Sequence, residues 1–464
     1  MSVTAASEKI STKTKILYGV ADLGMQAVTA VLQFWVLFFY TDVAHIDSGL
    51  AGTALMVGKL TWDLINDPFF GYLSDKTKSK LGRRRPWMLI SAVPLALSMW
   101  FLLSIPEGLM GVKAFLAVLI SFLLLDTCHS AIAIPYYAMT PELTLDYTER
   151  TSLTTVREIF TVVGYIIGAG MTKMLADIIQ DSFHLTTSQS WSAVGATFGV
   201  VACLTVLTTA LTVKERRRAH FTPNTMPPFK AFLTTLKNKP FMVLMGAQLL
   251  SGFSFTLLTT FLSYFVIYQI KMENQLTIIM LILLVCIGVF LFPWRAVSEK
   301  INKGPSYALG LFIASLAVIA TFFFPNEPTP WIYVIVAVAG IGFSGQWVFP
   351  WSMLPDVVEY DQAMTGERHE GIYYGMWQFL TKFTGALGIA VCGWVLDLFG
   401  YVANQPQQTE RALLGIRLFF GPVAAGVLII SLPLLIWYPI TKKTHAAILA
   451  KIAENQTSEE GPAT

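Results

Sequence analysis

Charge is what this sequence is short of. Only 13% of its residues are Asp, Glu, Lys or Arg, roughly half the share of a soluble domain. Hydrophobic residues make up 54%. That balance excludes a soluble enzyme and points to a polytopic membrane protein. The net charge of +3 gives no electrostatic footprint for nucleic acid, so none is expected as a partner. Cysteine is scarce as well. Cys128, Cys203, Cys286 and Cys392 all fall in apolar stretches without CxxC spacing. They read as packing thiols, with no disulfide framework and no thiolate metal site. No His/Cys/Asp group has metalloenzyme spacing, and there is no phosphate loop or Ser nucleophile elbow. Neither an enzyme nor an organic cofactor is therefore expected. The N-terminal MSVTAASEKISTKTK has no apolar signal-peptide core before residue 16, so the first membrane helix is expected to act as the insertion signal and to be kept.

What the chain does have is long apolar runs. A membrane span needs about 20 mostly apolar residues. Twelve such spans are read at 15–40, 50–74, 87–105, 112–138, 152–176, 192–213, 240–268, 275–296, 306–324, 331–354, 372–399 and 413–440. The expected fold is all-α and integral to the membrane, with twelve helices in two pseudo-symmetric six-helix bundles. The bundles are 1–213 and 240–440, joined by a cytoplasmic linker at 214–239 rich in Arg and Pro and followed by a cytoplasmic tail at 441–464. Counting residues at span ends with the adjoining loops, 24 of the 32 Lys and Arg fall on the side that holds both termini, against 3 on the other. Cytoplasmic loops carry the excess of Lys and Arg, so both termini are expected in the cytoplasm of a cell that holds the protein in its inner or plasma membrane. The loops after spans 2 and 8, LSDKTKSKLGRRRPWMLI and VSEKINKGPSYALG, look related. A repeat offset by six helices is the pattern of a two-bundle transporter with its site near the midplane.

The informative exceptions are the charges inside spans. In TWDLINDPFFGYLSDKTKSKLGRRRP, Asp63, Asn66 and Asp67 lie at i, i+3 and i+4, on one helix face. Two carboxylates and an amide oxygen so placed suit Na⁺, Li⁺ or a shared proton, and intramembrane acids usually line an ion or substrate path. The plainer alternative is that one acid pairs with a Lys; Lys59, one turn away, is a candidate counterion for Asp63. The basic run after this helix sets topology. With Asp75, the residues Arg83, Arg84 and Arg85 are also expected to form a gate that latches the bundles. Lys382 in MWQFLTKFTGALG needs an anion and is the expected coupling partner of the acids. Arg157 either closes a gate or pairs with Glu158 or Glu142. Asp22, Asp126 and Lys173 are also flanked by apolar residues; Asp126 is either a functional charge or the partner of a neighbouring helix. His129 reads as a packed histidine. Tyr136, Tyr137, Trp347, Trp351, Tyr373, Tyr374 and Trp377 flank the expected cavity, with Tyr137 and Trp377 the better candidates for touching a solute.

The segments YGVADLGMQ, FYTDV, WDLINDPFFGYLSDKTKSKLGRRRPW, AIPYYAMTPELT and LPDVVEYDQAMTGERHEGIYYG, in that order along nearly the whole chain, resemble the glycoside–pentoside–hexuronide:cation symporters. These form the melibiose-permease-type branch of the major facilitator superfamily. The resemblance implies that Asp63, Asn66, Asp67 and Ser130 bind the coupling cation, the first three as Na⁺ ligands if the chain is sodium-coupled. It implies that Lys382 and Arg157 take the family's coupling positions. At the family's sugar-reading positions this chain has Gln26 and Ala133 where acids are expected, and Tyr137 in place of a Trp. The sequence is also similar to sodium-dependent lysophospholipid transporters.

The expected function is a monomeric secondary active symporter, driven by Na⁺ or H⁺, that carries a sugar or glycoside across the lipid membrane by alternating access. The expected solute contacts are Asp22, Gln26, Ala133, Tyr137, Trp351, Trp377 and Lys382. A lysolipid is the alternative solute. A non-transporting receptor or membrane enzyme is the alternative class.

Overall fold

The computed structural model describes residues 9–143, 147–215, 235–365, 370–403, 405 and 407–459. Among these residues the chain is helical, without strands. The first half contains α1 (Thr12–Phe34), α2 (Ser48–Lys76), α3 (Arg85–Leu102), α4 (Gly111–Leu143), α5 (Tyr147–Gly170), α6 (Thr172–Phe183) and α7 (Thr187–Thr212). The second half contains α8 (Lys239–Tyr264), α9 (Leu276–Ile301), α10 (Lys303–Ala320), α11 (Trp331–Thr365), α12 (Glu370–Leu398), α13 (Glu410–Leu418), α14 (Ala424–Ile436) and α15 (Lys442–Glu459). With α13 and α14 joined by a π-helical turn at Phe419–Val423 and counted together, twelve of these helices match the twelve expected spans in order. Eleven are long and apolar enough to cross a membrane. The exception is α2, which has the length, at 29 residues, but carries Lys59, Asp63, Asp67, Asp75 and Lys76.

The larger differences from the sequence reading lie after the fifth span, after the tenth and in the C-terminal tail. The expected span 152–176 stops at Gly170, and α6 is a separate helix. Its sequence TKMLADIIQDSF carries three charges in 12 residues, too many to continue a hydrocarbon span. Lys173 is therefore not an intramembrane charge: its ammonium lies 2.6 Å from Asp177 and 3.2 Å from Glu273. Burial alone would lower its pKa, but the two carboxylates outweigh burial and hold it above the usual lysine range. The tenth span runs eleven residues past its expected end, to Thr365, through Pro355. The C-terminal tail contains the helix α15.

The chain divides into two compact units. The first comprises Met1–Phe221, Glu273–Leu281 and Ile389–Ala412; the second comprises Thr222–Met272, Ile282–Gly388 and Leu413–Thr464. Residues 216–234 of the expected linker lie outside the described residues.

In the first unit α1 packs against α5 and α7, α2 against α4, and α3 against α4 and α7. Small residues let the backbones approach, as is usual for helices in lipid, where apolar contact alone gives little drive to associate. A Cβ placed on Gly164 or Gly168 of α5 would fall 2.3 or 2.2 Å from the carbonyl oxygens of Leu23 and Ala27 on α1. In the second unit α10 packs on α11 and α14, and α8 on α14.

The first helix of each half ends the same way. After α1 the chain forms a π-helical turn at Phe39–Val43, and α8 runs into one at Phe265–Gln269. Two residues later, His45 and Lys271 take positive φ values of 56° and 52°. The next amides, Ile46 and Met272, then donate back to Tyr40 and Val266 at 2.8 and 2.9 Å. The two ends thus share one backbone geometry at an offset of six expected spans.

Candidate functional site

Two polar clusters lie inside the first unit. The first joins α2 to α4 by three side-chain bonds. Trp62 Nε1 donates to Thr127 Oγ1 at 2.8 Å. The amide nitrogen of Asn66, a residue only 3% exposed, donates to Asp126 Oδ2 at 3.2 Å and to the Asp126 carbonyl at 3.3 Å. Ser130 Oγ donates to Asp67 Oδ1 at 2.7 Å. Positions i and i+4 put Asp126 and Ser130 on one face of α4, opposite Asn66 and Asp67. Of the four expected cation ligands, Asp67 and Ser130 meet directly and Asn66 is one residue from Asp67 on the same helix. The side chain of Asp63 lies outside the described residues. Oxygen atoms from an ionised carboxylate, a hydroxyl and an amide are the donor set that a hard monovalent cation takes. Asp126, left open by the sequence, accepts from Asn66 of the neighbouring helix.

The second cluster centres on Asp22 of α1, 1% exposed. Arg157 Nε on α5 lies 3.2 Å from its Oδ2, and Arg157 also pairs with Glu158 at 2.6 Å. Tyr137 of α4 donates to Asp22 Oδ1 at 3.1 Å, Thr161 of α5 donates to Oδ2 at 3.3 Å, and Gln26 Nε2 donates to the Tyr137 oxygen at 3.2 Å. The Arg157 guanidinium sits 5.0 Å from the centre of the Tyr137 ring, within cation–π range. Ala133 is buried one turn before Tyr137. Three of the expected first-half contact residues, Asp22, Gln26 and Tyr137, therefore gather with Arg157. The sequence reading gave Arg157 Glu158 or Glu142 as partners. Glu158 is one of them, the Glu142 side chain lies outside the described residues, and Asp22 was missed. Two buried acid and base positions on different helices carry no local spacing that would pair them. His129 Nε2 lies 3.5 Å from Thr29 Oγ1.

In the second unit Trp351 and Trp377 pack edge to face with centroids 6.1 Å apart. Trp377 is buried and Trp351 half exposed. Lys382 lies on α12, five residues beyond Trp377. Tyr373 donates to Asp361 at 2.9 Å and accepts from Asn238 at 3.0 Å, tying α12 to α11 and to the start of α8. A group that the sequence did not reveal joins α10, α11 and α15. Lys303 Nζ lies 2.6 Å from Asp356 Oδ2, and His445 Nε2 lies 2.6 Å from Glu359 and 3.8 Å from Asp356.

The basic loop is organised by a residue outside it. Glu215 accepts the backbone amides of Arg83, Arg84 and Arg85 at 2.6, 2.7 and 2.7 Å. Arg84 donates to Ser74 at 2.6 Å, and Arg85 donates to the carbonyls of Ala210 and Leu211 at 2.5 and 3.0 Å. Both arginines are buried. These bonds staple α3 to the ends of α2 and α7, where unpaired carbonyls and the helix dipole favour a cation. The side chain of Asp75 lies outside the described residues.

Comparison with known proteins follows the same lines. The chain is 28% identical to an uncharacterized symporter of Synechocystis sp., covering 98% of this chain and 99% of that one. It is 26% identical to a glucuronide carrier protein homolog of Escherichia coli, covering 96% of each. It is 24% identical to sodium-dependent lysophosphatidylcholine symporter 1-B of Danio rerio, covering 98% of this chain and 93% of the relative. A family model described as MFS/sugar transport protein matches residues 17–442. Twelve helices, an acid-bearing α2 and a match over nearly the whole length make one conclusion: the chain belongs to the MFS/sugar transport family, in its glycoside–pentoside–hexuronide:cation symporter branch, and is a secondary symporter, not an enzyme.

Proposed function

We propose that the protein imports a sugar or glycoside together with a monovalent cation, Na⁺ or H⁺, across a cell membrane with both termini in the cytoplasm. The observation that carries this reading is the Asp67–Ser130 bond between α2 and α4, beside buried Asn66. Asp63, Asn66, Asp67 and Ser130 would hold the cation. A cation that binds one conformation more tightly than the other biases the conformational equilibrium. Lys382 competes for the acids in the empty carrier, and Arg157 and the Arg83–Arg85 loop stabilise one closed state. Asp22, Gln26 and Tyr137 of the first unit offer hydroxyl-reading groups beside Ala133, and Trp351 and Trp377 of the second unit are proposed as solute contacts. Similarity to a glucuronide carrier homolog and to a sugar-transport family model supports the sugar reading.

A lysolipid is the second reading. It is supported by the likeness to a sodium-dependent lysophosphatidylcholine symporter over 98% of the chain and by Ala133 at a position where the sugar carriers' pattern has an acid.

Uptake into proteoliposomes under an imposed Na⁺ or H⁺ gradient, with sugars, glycosides and lysolipids as solutes, tests both. Asp67→Cys should abolish gradient-driven accumulation while leaving solute binding measurable. Normal accumulation by that variant, or no flux of any solute under any gradient, would sink the reading.

A further inference from the structure

The resemblance assigns Asp63, Asn66, Asp67 and Ser130 to the cation and assigns nothing to Asp126. We infer that Asp126 is a positioning residue for the coupling cation, fixing which end of the Asn66 amide faces the ion. The inference rests on the cation-coupled reading above.

An amide side chain has one end that can ligate a cation, the oxygen, and one that repels it, the nitrogen. The two ends are nearly the same size, so only the hydrogen-bond partners decide which points where. An ionised carboxylate is acceptor-only. Asp126 presents Oδ2 and its own carbonyl oxygen to the Asn66 nitrogen, at 3.2 and 3.3 Å. Both acceptors exclude the flipped amide, in which two oxygens would face the Asn66 oxygen. Burial makes the preference matter: Asn66 is 3% exposed, so water is not there to stabilise the wrong orientation, and a mispaired buried amide is costly. The amide oxygen is thereby turned away from Asp126.

The neighbouring contact acts in the same sense. Ser130, one turn beyond Asp126 on α4, gives its only proton to Asp67, which leaves the hydroxyl oxygen's lone pairs for the ion. The two bonds fix the orientation of two ligands by the same device: a carboxylate takes the hydrogen, and the oxygen is left for the cation. In metal sites, partners that orient a ligand from behind cost about tenfold to a hundredfold in affinity when removed.

The experiment is a set of Na⁺ and Li⁺ titrations of the full-length protein, read by thermal stabilisation in detergent and by the cation dependence of uptake in proteoliposomes. Asp126→Asn supplies an amide whose nitrogen can face the Asn66 oxygen, so it removes the side-chain barrier to the flip and leaves only the backbone carbonyl of residue 126 opposing it. It should raise the half-saturating Na⁺ concentration about tenfold or more. Thermal stability without cation and solute binding without cation should change little. Asp126→Glu retains an acceptor-only group and should recover most of the loss. If Asp126 acts through Asn66, then in an Asn66→Ala background the Asp126→Asn change should have no further effect on half-saturation.

An unchanged half-saturation in Asp126→Asn would overturn the assignment. So would a full additional loss in the Asn66→Ala background, which would make Asp126 a ligand in its own right. A loss of cation-free stability that Asp126→Glu does not recover would reduce Asp126 to a helix-packing role. A wild-type protein that accumulates solute on a proton gradient, with no Na⁺ or Li⁺ response, would remove this inference and leave the symporter reading standing. A wild-type protein with no response to any gradient would remove both.

Discussion

Arg157 and Asp22 face each other across α5 and α1, with Nε 3.2 Å from Oδ2 and the carboxylate 1% exposed. Removing one member leaves an uncompensated buried charge, which costs about 3–5 kcal/mol. Arg157→Ala should therefore lower the thermal midpoint more than the double variant Asp22→Asn/Arg157→Ala. Thermal unfolding in detergent measures both. Equal losses would mean that Glu158, the other partner of Arg157, matters more than Asp22.

The three amides held by Glu215 are expected to depend on its charge. Glu215→Gln keeps the size but loses the charge-assisted bonds. Loop amides that regain water lose only part of the bond energy, so the cost should be about 1 kcal/mol. Hydrogen–deuterium exchange of Arg83, Arg84 and Arg85 should accelerate selectively. Unchanged exchange there would show that the arginine side chains alone hold the loop.

Glycine substitutions should separate close packing from mere flexibility. In Gly168→Ala the new Cβ would meet the Ala27 carbonyl at 2.2 Å, while in Gly375→Ala nothing lies within 4 Å. The first should destabilise by about 1–3 kcal/mol through overpacking. The second lies inside α12 and should be neutral or stabilising by up to about 1 kcal/mol through helix propensity. Melting temperatures of the two variants, purified in parallel, provide the test.

His445→Ala should release the C-terminal helix from α11, because His445 carries the contacts to Glu359 and Asp356. Limited proteolysis within residues 442–452 should speed up. Lys303 still holds Asp356, so the midpoint of the transmembrane helices should shift little. A protease pattern identical to that of the parent protein would show that α15 is held elsewhere.

What could be read from the sequence follows the range of the interactions. The acids and amide of α2 stood out because i, i+3 and i+4 is a local rule and because charges are conspicuous in an apolar helix. The twelve helices were legible for the same reason. Ser130 came only from resemblance, since a Ser in a membrane helix is unremarkable by itself. The Asp22–Arg157 pair, the Asn66–Asp126 bond and the Glu215 clasp join residues distant in sequence, and no periodicity encodes such pairings. The break between α5 and α6 was missed because Gly168, Gly170 and the apolar Met, Leu and Ile of α6 continue the hydropathy of the span while its charges accumulate gradually. Residues 366–369, which hold part of the TGER motif, lie outside the described residues.

The matching ends of α1 and α8 bear on how the two halves are built. A π-helical turn bonds i to i+5 and is rare, appearing mostly as single turns inside α-helices; a third one lies between α13 and α14 at Phe419–Val423. The wide turn, the left-handed residue two positions on and the same backward amide recur at Phe39–Ile46 and Phe265–Met272, the kind of correspondence that two halves built as a repeat would share.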